Sequence, residues 1–291
     1  MNSNRTGKRR SARRRQMLGF LALAAAGLDR ACGAVFPRAA NVLTVGVVPQ
    51  QSAIALARAW TPVLSYLSER TGHTLRFATA MDIPTFEQRL AAGDYDLAYM
   101  NPYHYTVFQR APGYRLIARD RRKLQGIVVV RKDSPVRTIT QLKGDTLAFP
   151  GPAAFAATLI PQAALKQMGV FVTPQYVSSH DSVYLAVARG LFVAGGGIGR
   201  TFDNMSPSIR DGLRILWTTP RFTPHAFAAH PQVPGPAIER VRAAMLQMAQ
   251  DPRGADLLQA LGFEGIVAAY DADYDDIRRL NIQSLEHLIR G

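Results

Sequence analysis

The chain has 291 residues, with 35 Lys and Arg against 21 Asp and Glu, a formal net charge of +14 and one cysteine, Cys32. Since that cysteine precedes the part of the chain that carries the predicted fold, disulfides, thiolate nucleophiles and thiolate metal sites are excluded from that part. The remaining length is sufficient to bury a substantial core without cross-links, in one large domain or in two lobes.

Residues 1–40 have the layout of a secretory signal peptide. Nine basic residues and one Asp lie there, and an apolar run from Met17 to Leu28 is followed by small residues. That run is too short to span a bilayer, which favours a signal peptide over a membrane helix. The Arg14-Arg15 pair is close to a twin-arginine export pattern, and the charged residues before Cys32 argue against a lipid anchor. We therefore predict a periplasmic protein whose net charge after the leader is +6, from 26 basic and 20 acidic residues.

The first half of the remaining chain alternates between strand and helix patterns. The predicted strands are 43–47, 75–77, 95–99, 114–119 and 125–131. Helices are predicted over 53–70, with a break at Pro62, and over 82–92, opened by Asp82 and Pro84. This alternation predicts a mainly parallel sheet with helices on both faces.

A second, smaller α/β unit follows a composition shift at residues 132–135. The predicted strands are 146–149, 175–177, 191–194 and 213–217, and the predicted helices are 152–168, 181–190, 237–250, 253–261 and 274–289. The architecture predicted is two α/β lobes with a helical C-terminal segment that returns to the first lobe.

Residues 176–202 contain the strongest local indication of function. His180 lies where the chain enters a predicted helix capped by Asp181 and Ser182, beside backbone N–H groups that favour an anion. The glycine run at 195–199 predicts a bend that brings backbone and Arg200 close to a small solute. From these residues alone, an ordinary loop–helix–strand unit with a hydrogen-bonded histidine explains the pattern equally well.

No group of residues predicts catalysis, a cofactor or a metal. Ser, His and Asp types occur together at 178–181, but chain neighbours point apart and cannot form a catalytic triad. The glycine run lacks the spacing of a dinucleotide-binding loop, and His225 and His230 lack the i, i+4 spacing of a helical zinc pair. We therefore predict a protein that is not an enzyme. The basic cluster at 119–123 is interpreted as a solvated turn rather than a nucleic-acid site, because no aromatic residues accompany it.

Several segments resemble the periplasmic phosphonate-binding proteins of ABC importers, a branch of the bilobed (type II) solute-binding proteins. The resemblance covers most of residues 42–265. It rests on LTVGVVP (43–49), AAGDYDLAYMNP (91–102), VVVRKDSPV (128–136), SSHDSVYLAVARG (178–190) and WTTPRFTPHAF (217–227). These segments occur in the family's order and with its spacing.

The resemblance implies a monomer in which an interlobe cleft closes on one small oxyanion, such as phosphonate, phosphate or phosphite, for a membrane permease. Lobe 1 would comprise 41–131 and 222–291 and lobe 2 would comprise 132–221, with hinges near 131–134 and 217–222. The same fold can instead present a ligand to a membrane histidine kinase, so a periplasmic sensor remains the alternative.

The resemblance also implies a set of ligand-binding residues. His180 is retained, with Ser179 and Asp181 beside it, and Met100 replaces the family's first-lobe aromatic residue between Tyr99 and Asn101. The family's Ser-Thr-Ser-Gly run is replaced by Ala154, Phe155, Ala156 and Ala157, so only backbone N–H groups remain to hold an anion.

Two further positions differ from the family in charge. Arg200 and His225 stand where aminoalkyl-phosphonate binders hold an ammonium group with carboxylates. Since cations repel an ammonium group, we expect a ligand that is anionic at both ends, or a larger oxyanion.

Overall fold

Two mixed β-sheets, each covered by helices, make up the described part of the chain. The structure is a computed structural model that describes residues 41–290. The predicted signal peptide, with the Arg14-Arg15 pair and Cys32, lies outside the described residues. Between residues 41 and 290, none of the helices combines the length and the apolar character needed to cross a bilayer.

The strands, in chain order, are β1 (Val42–Val47), β2 (Thr74–Ala78), β3 (Leu97–Met100), β4 (Arg115–Asp120), β5 (Leu124–Arg131), β6 (Thr146–Phe149), β7 (Thr173–Tyr176), β8 (Ala194–Ile198), β9 (Leu213–Phe222), β10 (Ala226–Ala229) and β11 (Ile266–Ala268). The first sheet has the order β11-β4-β10-β3-β1-β2 and the second has the order β7-β6-β8-β5-β9.

The α-helices, in chain order, are α1 (Ala53–Thr71), α2 (Ile83–Ala92), α3 (Pro102–Phe108), α4 (Ile160–Gln167), α5 (His180–Ala188), α6 (Gly199–Asp203), α7 (Pro207–Arg210), α8 (Gly235–Gln247), α9 (Pro252–Ala260) and α10 (Asp275–Arg278). A five-residue π-helical turn, Phe155–Leu159, precedes α4.

The sheets are mixed rather than mainly parallel as predicted. Strand β1 runs parallel to β2 and β3, and β6 runs parallel to β7 and β8. Parallel neighbouring strands require a long crossover connection, and the helices between these strands provide it. By contrast, β4, β5, β9 and β10 pair antiparallel with their neighbours. The chain passes between the sheets through the short connections 121–123 and 223–225, so β5 lies in the second sheet.

The predicted break at Pro62 is wrong, because α1 runs through this residue without interruption. Pro62 is exposed, while Leu56, Trp60 and Leu64 of the same helix are buried in the core. A proline on the solvent side of a helix leaves a carbonyl group that water can reach, and the buried face continues to hold the helix in place.

The glycine run is a buried strand rather than a bend. Residues Ala194–Ile198 form β8, and the predicted strand at 191–194 is mostly a turn that precedes it. A Cβ atom on Gly196 would overlap the carbonyl oxygen of Ala157, and one on Gly197 would overlap the Tyr184 side chain. The glycines are therefore required because other segments pack directly on the strand.

The predicted C-terminal helix at 274–289 is reduced to α10. Asn281 adopts a left-handed conformation with a φ of 48°, which an α-helix cannot continue. Beyond it the chain forms only a short 3₁₀ turn, Glu286–Leu288. This segment packs on α3 through a hydrogen bond from the Leu285 N–H to the Tyr103 hydroxyl at 3.0 Å.

Candidate functional site

The two sheets meet around Gln50, which follows the carboxyl end of β1. Its backbone carbonyl accepts a hydrogen bond from the His180 N–H at 2.8 Å. Its side-chain Oε1 accepts from Arg200 Nη2 at 2.6 Å, and its Nε2 lies 2.9 Å from His225 Nε2. Through its backbone carbonyl and its side-chain amide, Gln50 therefore connects three of the predicted ligand-binding residues.

Arg200, at the start of α6, is a half-buried cation held by neutral groups. Its guanidinium donates to Gln50 Oε1, to the Tyr99 hydroxyl at 3.3 Å and to the Leu261 carbonyl at 3.2 Å. The guanidinium carbon also lies 5.2 Å from the centre of the Phe263 ring. Among the described residues, no carboxylate forms an ion pair with Arg200. Asp120 interacts with Arg200 electrostatically but does not hydrogen-bond to it, so the guanidinium can still donate to an anionic ligand.

His180 is a neutral, buried side chain. Burial, reinforced by the charge of Arg200, lowers the pKa of His180 to about 3. Its Nδ1 lies 3.0 Å from the Thr201 hydroxyl. Two of the backbone N–H groups at the start of α5 already have protein partners, since that of His180 donates to the Gln50 carbonyl and that of Ser182 donates to the Ser179 hydroxyl.

His225 is also neutral, which corrects its treatment as a cation in the sequence analysis. Burial lowers its pKa well below the ordinary value, with Arg200 as the next cause. Because Gln50 Oε1 accepts from Arg200, the Gln50 Nε2 group is the donor and His225 Nε2 is the acceptor, which assigns the proton to Nδ1. The imidazole stacks on Tyr99 with ring centres 5.1 Å apart.

A narrow cavity lies where the resemblance places the phosphonate group. Its volume is about 10 Å³, and its walls include Gln50, Asn101, His180, His225 and residues 154–157. Phe155 is fully buried at this point and packs edge-on against Phe222, with ring centres 5.2 Å apart. A volume of this size holds about one water molecule. No side-chain hydroxyl from residues 154–157 faces it, because those residues are three alanines and a phenylalanine.

Two glycines and a proline position the wall formed by residues 154–157. Gly126 of β5 and Gly196 of β8 leave room for the Ala156 and Ala157 carbonyls, which a Cβ atom at either glycine would overlap. Pro161 lacks the N–H that would bond to the Ala157 carbonyl in a regular α-helix. The π-helical turn at 155–159 is consistent with this missing hydrogen bond and packs directly on the second sheet.

A second cavity of about 370 Å³ adjoins the narrow one, with which it shares Leu124, Ile198 and His225. It was missed by the sequence analysis, which interpreted residues 119–123 as a solvated turn. Its charged lining consists of the cations Arg121, Arg122, Lys123, Arg200 and Arg221 and the carboxylates Asp120 and Glu264. This arrangement of charges favours an anionic ligand.

Of three other predicted site residues, one lines a cavity and two do not. Asn101 lines the narrow cavity, and its Nδ2 donates to the Ala153 carbonyl at 3.2 Å. Met100 is buried in the core, pairs with Ala226 and lines neither cavity. Ser179 caps α5 through its contact with Ser182 and also lines neither.

Asp181 contacts the first sheet's side of the cleft rather than a cavity. Burial raises the pKa of Asp181, while interactions with the Ser52 backbone and the Gln51 side chain act in the opposite direction. Its Oδ1 is buried and has no hydrogen-bond partner among residues 41–290. Asp181 therefore helps to hold the two sides of the cleft together instead of offering a group to an anion.

Gln50 is the functional candidate that sequence analysis missed. The signal was available, because Gln50 follows the first strand at its carboxyl edge, where ligands bind to parallel sheets. Within the described part of the chain, no cluster of three or more His, Cys, Asp or Glu residues could hold a metal ion.

Residues 45–274 match the family described as the periplasmic substrate-binding protein of phosphonate ABC transporters. The chain is also 22% identical to the phosphate-import protein PhnD of Mycolicibacterium smegmatis, with 90% of this chain and 92% of that protein covered.

Two solved structures have a similar fold. One is PhnD1 of Prochlorococcus marinus in complex with methylphosphonate, with a TM-score of 0.75, 18% identity, and coverage of 83% of this chain and 99% of that chain. The other is a binding-protein component of a phosphonate ABC transporter from Pseudomonas aeruginosa, with a TM-score of 0.76, 16% identity, and coverage of 85% and 87%. These similarities confirm the predicted two-lobed, type II periplasmic-binding-protein fold.

Proposed function

We propose that this chain, which belongs to the family of periplasmic substrate-binding proteins of phosphonate ABC transporters, captures an oxyanion beside Arg200. The family's role is solute binding for import, so the first step of function is reversible capture rather than chemical conversion. The proposed ligand lies in the cleft between the two sheets, where Gln50, Tyr99 and the two neutral histidines surround the guanidinium.

The observation that carries the proposal is the half-buried Arg200, to which no carboxylate of residues 41–290 is hydrogen-bonded. A buried cation is costly unless an opposite charge or several hydrogen bonds compensate it. Gln50, Tyr99 and Leu261 provide neutral acceptors only. An oxyanion would add charge-assisted hydrogen bonds to Arg200, each contributing roughly 1.5–3 kcal/mol.

The narrow cavity supports a ligand different from a compact phosphonate. The resemblance predicts that backbone N–H groups of residues 154–157 cradle an anion, yet Phe155 leaves a volume of about 10 Å³ beside them. We therefore place the ligand mainly on the Arg200 side of His225. His180, Asn101 and Ala154–Ala156 contribute the inner wall of the site rather than its principal anion contacts.

Closure of the cleft completes the proposed binding cycle. The direct connections between the sheets, residues 121–123 and 223–225, are the segments where we place the hinge. Residues 124–131 would then move with the second lobe, although the sequence analysis assigned them to the first. Only a ligand that touches both sides can shift the open–closed equilibrium. Arg200 contacts residues of both sides, so a ligand bound to it meets that condition.

We propose a membrane permease as the partner of the closed, liganded form, acting with a monomer in the periplasm. The family's role in ABC import supports the permease, and no observation on residues 41–290 favours a sensor kinase. In the same way, the family's role supports a protein without catalytic activity.

Arg200→Glu tests the proposal directly. The substitution reverses the charge beside the cavity, and we expect binding of phosphate, pyrophosphate and phosphonates to become undetectable by calorimetry. Arg58→Glu, an exposed residue of α1 away from the cavity lining, is the matched control and should bind as the unmodified chain does. Equal anion affinity in the Arg200 variant and its control would remove Arg200 from the site.

A further inference from the structure

We infer that the larger cavity binds a condensed phosphate, that is, a diphosphate or triphosphate group, free or attached to an organic remainder. This inference rests on the proposed function and specifies its ligand. The group would contact Arg200 at the inner end of the cavity and a second set of cations, Arg121, Lys123 and Arg221, at its rim.

The sizes of the two adjoining cavities support this assignment. The narrow cavity of about 10 Å³ cannot hold a tetrahedral phosphonate or phosphate, whereas the larger one of about 370 Å³ is in the lower part of the range typical of small-molecule sites. A single tetrahedral oxyanion would leave most of the larger cavity to water. Two or three linked phosphates extend further and reach more than one wall.

The cations around the larger cavity are only partly neutralised by the described residues, since Asp120 interacts electrostatically with Arg200 and Asp273 with Lys123. Arg122 pairs with Asp203 outside the cavity, at 2.9 Å, which leaves four cations and two carboxylates in the lining. Among the described residues, the guanidinium groups of Arg121 and Arg221 have neither a hydrogen bond nor an ion pair. A multiply charged anion offers compensating charge to all of these groups at once.

One of the two carboxylates already serves a structural purpose. Asp120 is buried, and it accepts hydrogen bonds from the backbone N–H groups of Arg122 and Glu264. It thereby holds the turn that carries Arg121 and Lys123 against the loop that precedes β11. The same carboxylate interacts electrostatically with Arg200, so it positions the turn and also offsets part of the positive charge of the cavity.

The cations lie on separate elements, which favours an extended ligand. Arg200 belongs to α6 and contacts Tyr99 and Leu261. Arg221 lies near the end of β9, opposite Gln125 in the strand pairing, and Lys123 Nζ lies 3.5 Å from the Thr223 hydroxyl. A ligand that bridges Arg200 and these rim residues would also touch the segments 121–123 and 223–225, which link the sheets. Binding would therefore be coupled to closure of the cleft.

The test is a calorimetric titration of the purified chain in metal-free buffer at low ionic strength and neutral pH. The probes are pyrophosphate, tripolyphosphate, orthophosphate and methylphosphonate. We expect pyrophosphate or tripolyphosphate to bind at least about tenfold more tightly than orthophosphate and methylphosphonate, a difference of about 1.4 kcal/mol.

The variants Arg221→Gln and Arg121→Gln test whether the rim cations contact the ligand. Each should weaken condensed-phosphate binding about tenfold and orthophosphate binding by clearly less, because a single phosphate at Arg200 does not reach the rim. Arg221→Lys should restore part of the affinity. Arg58→Gln is the control for the loss of one surface arginine, and melting curves verify that each variant is folded.

The outcomes distinguish this inference from the proposed function. A preference for condensed phosphates that the rim variants reduce supports both. Binding of orthophosphate or methylphosphonate as tightly as pyrophosphate, or rim variants without selective effect, overturns the condensed-phosphate inference and leaves the oxyanion function standing. Absence of binding for all four probes overturns both.

Discussion

The stability of the folded chain depends on pH through the two buried histidines beside Arg200. Both His180 and His225 are buried and neutral, with pKa values lowered by burial first and by Arg200 second. An unfolded histidine has a pKa of about 6.5, so below this pH the unfolded chain takes up protons that the folded chain refuses. Stability from these groups is therefore fully present above pH 6.5 and falls as the pH decreases towards the folded pKa.

We predict that the free energy of unfolding decreases by about 1.4 kcal/mol per histidine between pH 7.5 and pH 5.5. Urea denaturation at the two pH values measures this change, and His180→Gln should remove the part due to His180. The range stops at pH 5.5 because burial raises the pKa values of Asp120 and Asp181, whose protonation opposes the effect in more acidic solution. The same stability at both pH values in the unmodified chain would contradict the neutral, buried state of these histidines.

The replacement of the family's hydroxyl-bearing run offers a second test at the residue scale. In Ala154→Ser/Phe155→Thr, the narrow cavity gains volume and two hydroxyl donors, so methylphosphonate affinity should rise at least about tenfold. Loss of the buried phenylalanine should lower stability by about 3–5 kcal/mol. Calorimetry and melting curves measure the two effects, and Phe171→Thr, at an exposed phenylalanine, is the control. No gain in affinity in a folded variant would mean that residues 154–157 do not face the ligand.

Several candidate site residues could be grouped from the sequence because the family resemblance fixes their order along the chain. It brought Tyr99, His180, Arg200 and His225 into one candidate group, and the structure places all four around Gln50. The charge state of His225 was wrong, since it depends on burial and on the nearby guanidinium, neither of which a linear pattern contains. Gln50 was missed for a similar reason, because its three contacts come from distant parts of the chain.

At the scale of elements, the contact between the π-helical turn and the second sheet determines the shape of the inner wall. The turn at Phe155–Leu159 brings the Ala156 and Ala157 carbonyls against β5 and β8, where only glycine fits. The sequence predicted Gly196, as part of the run at 195–199, to lie in a bend close to the ligand. That prediction failed because the need for glycine comes from a segment about 40 residues earlier, which no local pattern reveals.

Gly196→Ala tests this packing. The added methyl group would overlap the Ala157 carbonyl, so the turn must shift and stability should fall by about 1–3 kcal/mol or more. Gly235→Ala is the control, since a Cβ atom there meets nothing within 4 Å. Chemical denaturation compares the two variants. If Gly196→Ala is as stable as the control, the turn does not rest on β8 in the way described.

At the scale of the whole molecule, the two sheets are joined by protein groups at the position proposed for the ligand. The His180 N–H donates to the Gln50 carbonyl, and the Asn101 amide donates to the Ala153 carbonyl. Arg200 adds contacts to Gln50 and Leu261. The α/β class and the two-lobed fold could be predicted from alternating strand and helix patterns and the resemblance. The antiparallel pairing of β4, β5, β9 and β10 could not be predicted from the sequence, because it follows from how the chain crosses between the sheets.

A crystal structure of the chain, grown with the tightest-binding anion of the four probes, would locate the bound anion. We predict that the anion lies between the sheets with an oxygen atom within hydrogen-bonding distance of Arg200. The cavity between α3 and the C-terminal segment is also basic, being lined by Arg110, Arg278 and Arg290 along with Glu286, and it provides an internal comparison. An anion bound there or elsewhere on the surface, with the space beside Arg200 occupied only by water, would rule out Arg200 as the anion-binding residue.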